Sequence, residues 1–119
     1  MTAPTRANVD EDTRQTLSGV STGDIDLLEE GLKARQQWQQ ESGLDPRTYS
    51  LVKIAALVAL DAPPASYLWQ VANALDSGAT PREITGVLRA IAPQVGGPRC
   101  VAAAPEIMVS LGLSLPEGV

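Results

Sequence analysis

Two proline-led helix starts and a glycine stop, set along Leu44 to Gly97, constrain the fold of this chain more than any other feature. The first start is Asp45-Pro46, where Asp45 suits an N-cap and Pro46 sits at a position whose N–H needs no partner. The run after it, Tyr49 to Leu60, is apolar on nearly every side, which predicts a central helix covered by others. Asp61-Ala62-Pro63-Pro64 breaks it, and a second helix is expected over Ala65 to Ser77 with Gly78 as a left-handed stop. Thr80-Pro81-Arg82-Glu83 then opens a third helix with a capping box, Thr80 facing Glu83.

No stretch alternates apolar and polar residues as a half-buried strand would, so the fold class is all-α. The only aromatic residues are Trp38, Tyr49, Tyr67 and Trp69, with no Phe. A core of Ala, Leu, Val and Ile must rely on close helix approach, and a small core of this kind gains burial by oligomerising.

Residues 1–23 are polar and read as a loose arm with a helical turn near Asp10 to Leu17. Asp24 to Glu41 reads as a helix with its acids early and Lys33 and Arg35 later, as the helix dipole prefers. Ile25, Leu28 and Leu32 would form its apolar stripe, extended by Trp38 as a packing or interface residue. Beyond the central segment, Ile84, Val87, Leu88 and Ile91 mark one face of a helix from Pro81 to about Ala92, which Pro93 should kink or stop. Pro98 restarts a helix to about Leu111, with a bend expected at Pro105. The division is thus an arm over 1–23, one helical domain over 24–113 and a tail over 114–119.

Several function classes are disfavoured. The formal net charge is -5 and the acids are dispersed, so a nucleic-acid backbone is not an expected partner. Lys53 interrupts the longest apolar run, so no membrane span is expected. There is no basic-then-apolar leader pattern, and the single cysteine, Cys100, has no intrachain partner; both fit the cytoplasm. The chain contains no histidine, which removes imidazole metal ligands, Ser-His and Cys-His pairs, and imidazole acid–base chemistry. Neither a metal nor a cofactor is expected.

The ordered set Leu44-Asp45-Pro46, Ala74-Leu75-Asp76-Ser77-Gly78-Ala79-Thr80-Pro81-Arg82-Glu83-Ile84 and Gly96-Gly97-Pro98 resembles the carboxymuconolactone decarboxylase and alkylhydroperoxidase-D-like family. The resemblance runs from about Asp24 to Leu113. It implies an antiparallel all-α bundle assembled into homo-trimers or homo-hexamers, with active sites between helices near subunit interfaces. In the peroxidase branch, a Cys-x-x-Cys pair, a His one turn on and a Glu on the preceding helix carry the chemistry. Counted back from Gly78, those positions fall on Pro63, Ser66, Gln70 and Ser50 or Leu51. Without a thiolate to attack and a second to resolve, dithiol peroxidase chemistry is excluded. The decarboxylase branch usually keeps the His, and Gln70 in its place can hydrogen-bond but not exchange a proton near neutral pH.

Lys53 is the candidate catalytic residue, read either as a snorkelling lysine or as a charge held in a cavity for an anionic or enolisable substrate. Tyr49 and Ser50 would add hydroxyls to the same pocket. Tyr67 and Trp69, two apart, cannot face the same way; one would pack and the other wall a ligand cavity. Gln70 reads as a group orienting a carbonyl or carboxylate, or as helix surface. Arg99 and Cys100 fall on the first turn of the last helix, with Arg99 as a carboxylate clamp or an ion-pair partner and Cys100 as a thiolate or a small apolar group. Two functions compete. One is non-redox chemistry (decarboxylation, isomerisation or cyclisation) on a small acidic or enolisable molecule. The other is a catalytically degenerate, self-assembling interaction module.

Overall fold

A computed structural model describes residues 7–22 and 26–118, with the side chains of 26–30 and 32 outside the description. Among the described residues there are six helices and no strand: α1 (Glu11–Thr22), α2 (Asp26–Ser42), α3 (Pro46–Leu60), α4 (Pro64–Asp76), α5 (Pro81–Val95) and α6 (Gly97–Ser110). The chain divides into two compact units, residues 1–42 and 43–119.

In the first unit, Asp10 caps α1 by accepting from the Thr13 N–H at 2.7 Å and the Thr13 hydroxyl at 3.0 Å. The helix then runs on to Thr22, beyond the single turn expected from sequence, with Glu11 paired to Arg14 on its exposed surface. None of its residues is buried. Trp38 on α2 is 61% exposed, and the stripe expected from Ile25, Leu28 and Leu32 lies outside the described residues.

The second unit is a four-helix arrangement whose order in space is not its order in sequence. Helix α3 packs on α4 and α5, α6 packs on the same two, and α3 touches α6 across the middle. The consecutive pair α4 and α5 has no comparable contact, so the connection Ser77 to Thr80 carries the chain across the bundle. The core is Ile54, Val58, Tyr67, Val71, Ala74, Ala79, Ile84, Val87, Ala103 and Ile107. Each helix contributes residues at helical spacing, as the apolar periodicity requires.

Local chemistry explains the boundaries. Asp45 accepts from the Thr48 N–H at 2.8 Å and the Thr48 hydroxyl at 3.0 Å, repeating the Asp10–Thr13 cap. These bonds, the backbone one foremost, hold the Asp45 carboxyl below its ordinary range. Glu83 accepts from the Thr80 N–H at 3.0 Å while Thr80 accepts from the Glu83 N–H at 3.1 Å, completing the capping box. Glu83 also takes both guanidinium arms of Arg47, tying the starts of α3 and α5 together.

Helices α3, α4 and α6 end in the same way. In each, two backbone N–H groups fold back on the last turn: Ala62 to Leu57, Ala79 to Ala74, and Leu113 to Met108 make the outer bonds. Gly78 and Gly112 hold the left-handed position in two of them, at φ 93 and 79. Asp61 holds it in the third, at φ 52, although a residue with a Cβ is strained there. Helix α5 continues through Pro93 to Val95 rather than stopping near Ala92. Pro93 lies in the last turn, where it removes only one hydrogen bond and little helix remains to be disrupted.

Candidate functional site

Helix α4 differs from its neighbours at its start. Pro63 occupies the N-cap with no side-chain hydrogen bond, and Pro64 follows at the first position. No other connection in the second unit puts a proline at both places, so α4 begins by backbone restriction rather than by a cap.

Its inner face is Tyr67, Val71 and Ala74, all buried. Tyr67 is therefore a core residue at 2% exposed, and burial pushes its hydroxyl above the ordinary phenol range. Asp61 and Glu106 add to that shift and Arg99 opposes it. Trp69, 36% exposed, faces elsewhere. The two aromatic residues separate as their spacing demands, with Tyr67 taking the packing role.

Between these faces lies Gln70, half-buried, with Ser66 one turn before it and Asn73 three residues after. The Gln70 Oε1 is fully buried and has no hydrogen-bond partner among the described residues. A carboxamide oxygen buried without a donor costs about 1–3 kcal/mol. Ser66 and Asn73 also make no side-chain hydrogen bond among the described residues. Asn73 was passed over in the sequence, although its signal was available there: three uncharged polar residues at i, i+4 and i+7 on an otherwise apolar helix.

On α3, the neighbour of α4, Ser50 is 2% exposed and Leu51 is half-buried. Lys53 is half-buried, with its Nζ 4.9 Å from the centre of the Tyr49 ring. That contact is a cation–π interaction and fixes the ammonium along the helix surface toward Tyr49. Lys53 takes part in further interaction as well.

Arg99 and Cys100 lie on the first turn of α6, at some remove from one another in role. Arg99 Nη1 is 3.6 Å from Asp61 Oδ2, with both side chains substantially exposed, so the pair contributes little to stability. Cys100 is half-buried, its Sγ 3.9 Å from the Leu88 carbonyl oxygen on α5. The residues singled out from sequence thus divide. Lys53, Tyr49 and Ser50 share α3; Gln70 and Trp69 share α4; Arg99 joins Asp61 at the α3–α4 turn; Cys100 belongs with α5. Among the described residues no three acidic, cysteine or histidine side chains gather to hold a metal, and no helix is long and apolar enough to cross a membrane.

Neither the curated proteins nor the solved structures contain a match to this chain. The profile of the carboxymuconolactone decarboxylase family matches residues 28–107, a span that holds α3, α4, α5 and most of α6. The chain belongs to the carboxymuconolactone decarboxylase family.

Proposed function

We propose that this protein binds a small enolisable molecule beside α4 and acts on it by non-redox chemistry, on a bundle of the alkylhydroperoxidase-D-like type. The observation that carries the reading is the buried, unpartnered Gln70 oxygen at the position where the family usually keeps a histidine. A buried acceptor calls for a donor, and an N–H or O–H group beside the ligand's carbonyl, such as the amide N–H of acetoacetamide, is one. Lys53, on the adjoining helix, supplies the positive charge that favours an enolate once a proton leaves the carbon next to the carbonyl. Gln70 itself cannot carry that proton, so the proton passes to water. Thiol peroxidase activity has no place in this scheme, since Cys100 is the sole cysteine of the chain.

Proton–deuterium exchange at C2 of acetoacetamide and of acetoacetate, followed by NMR, tests the proposal. Exchange accelerated by the protein, and slowed tenfold or more by Lys53→Met, is the expected result. Absence of acceleration with either compound rejects the catalytic reading.

A second reading, an interaction module, draws on the apolar residues left at the surface of the second unit. Leu60 is 75% exposed and Val101 73%, and Val52, Leu68 and Val109 are each about half exposed or more. A chain with net charge -5 meets its own copy most easily through such uncharged surface, which supports self-assembly, as the trimer or hexamer that the family resemblance implies. Light scattering that returns a monomer mass at micromolar concentration contradicts the assembly.

A further inference from the structure

The binding reading above rests on one atom, and the face of the helix around that atom narrows what it takes. Ser66, Trp69, Gln70 and Asn73 stand at i, i+3, i+4 and i+7 on α4, the spacing that places four side chains along one face. Three are half-buried, polar and without a side-chain hydrogen bond among the described residues. The fourth is an indole with about a third of its surface open.

From Pro64 to Leu75 the helix carries no charged residue. Its face therefore offers hydroxyl and carboxamide groups, each able to donate and accept, beside a flat aromatic wall. A carboxylate ligand would lose hydration there without meeting a cation on this helix, which is the unfavourable side of charge burial. An uncharged ligand loses far less, and once the Gln70 carboxamide turns out of its covered position the ligand can give that oxygen the donor it lacks among the described residues.

We infer that the Ser66–Trp69–Gln70–Asn73 face of α4 is a binding surface for an uncharged, planar molecule that presents both hydrogen-bond donors and acceptors, in preference to a carboxylate of the same shape. This deepens the proposed function by selecting a neutral enolisable compound over an acidic one. That selectivity requires the Lys53 ammonium to stay against the Tyr49 ring, 4.9 Å from its centre, and an ammonium within reach of the bound ligand lessens it.

The test uses 2-naphthamide and 2-naphthoate, two probes of one shape that differ in charge. Trp38→Phe leaves Trp69 as the only indole, so its fluorescence reports α4, and side-chain amide NMR signals report Gln70 and Asn73. The expected result is saturable binding of 2-naphthamide, with shifts of both amide signals and affinity at least tenfold above that for 2-naphthoate. Gln70→Leu and Asn73→Leu, each with an unchanged circular dichroism spectrum, should weaken 2-naphthamide binding by roughly tenfold, the loss of one buried hydrogen bond.

Equal or tighter binding of 2-naphthoate, or 2-naphthamide binding indifferent to both substitutions, overturns the selectivity inferred here while leaving a small-molecule site in place. Failure of both probes to shift the Trp69, Gln70 and Asn73 signals at millimolar concentration overturns this inference and the binding reading together.

Discussion

Helices α4 and α5 are near neighbours in sequence and similar in length, yet they are built to opposite specifications. Helix α5 opens with a complete capping box reinforced by Arg47, and it buries Ile84 and Val87 along one clean face. Helix α4 opens on a proline with no side-chain cap, and its core face is bordered by Gln70, whose oxygen is buried without a partner. Helix α5 satisfies the polar groups of its first turn locally, whereas α4 leaves a buried oxygen without a partner among the described residues. Departures from local consistency concentrate at functional positions, where stability is given up for something else. The contrast supports the proposal that α5 is scaffold and α4 the binding surface.

The largest effect that tests this contrast is on the scaffold. Ile84 is 0% exposed, so Ile84→Ala should lower the unfolding free energy by about 2–5 kcal/mol, measured by urea titration. A loss below about 1 kcal/mol would mean that α5 does not anchor the bundle. Next in size, Thr80→Ala removes one half of the capping box and should cost about 1 kcal/mol in the same titration. Ser66→Ala on α4 should be nearly silent, because that hydroxyl bonds nothing among the described residues.

A smaller effect comes from the third helix ending. Asp61→Gly relieves a left-handed residue at the cost of an exposed ion pair with Arg99, and the balance should be a gain of about 0.5 kcal/mol. A loss of similar size would show that the Arg99 contact outweighs the backbone strain.

The pH dependence of stability gives the finest comparison. Asp45 and Asp10 both have carboxyls lowered by their Thr partners, so the folded state holds fewer protons than the unfolded state as pH falls. Their contribution is present above the ordinary carboxylate range of about pH 4 and is lost as pH drops through the lowered values. Asp45→Asn should flatten the acid limb of the stability–pH profile. An unchanged acid limb would remove Asp45 from the account.

Much of this was legible in the sequence because it is local. Asp45, Gly78 and the Thr80–Glu83 box act within one turn, and each lies where its residue type requires. The all-α class followed from periodicity for the same reason. The crossing between α4 and α5 was not legible, since it depends on which faces meet in three dimensions rather than on any stretch of chain. Asp61 as a left-handed residue was hidden as well, because Asp61-Ala62-Pro63-Pro64 announces a break without saying which residue bends. Within the candidate site, the family resemblance pointed to Gln70 but left it as either ligand-orienting or surface. Burial of its oxygen bears on that choice, and burial is a property of the packed helices. Tyr67 shows the converse: the sequence could say that it and Trp69 diverge, but not which one enters the core.

The central claim, that α4 sacrifices stability at Gln70 for binding, is tested most directly by thermal melting of the wild type and Gln70→Leu with and without 2-naphthamide. Replacing a buried, unpartnered carboxamide by an apolar side chain of similar length should raise stability by about 1 kcal/mol, or roughly 4–8 °C for a unit of this size. Saturating 2-naphthamide should raise the wild-type melting temperature by mass action and raise that of Gln70→Leu by less, since tenfold weaker binding removes about 1.4 kcal/mol of the ligand's stabilisation. A Gln70→Leu protein that melts below the wild type while keeping the full ligand-induced shift would contradict the account.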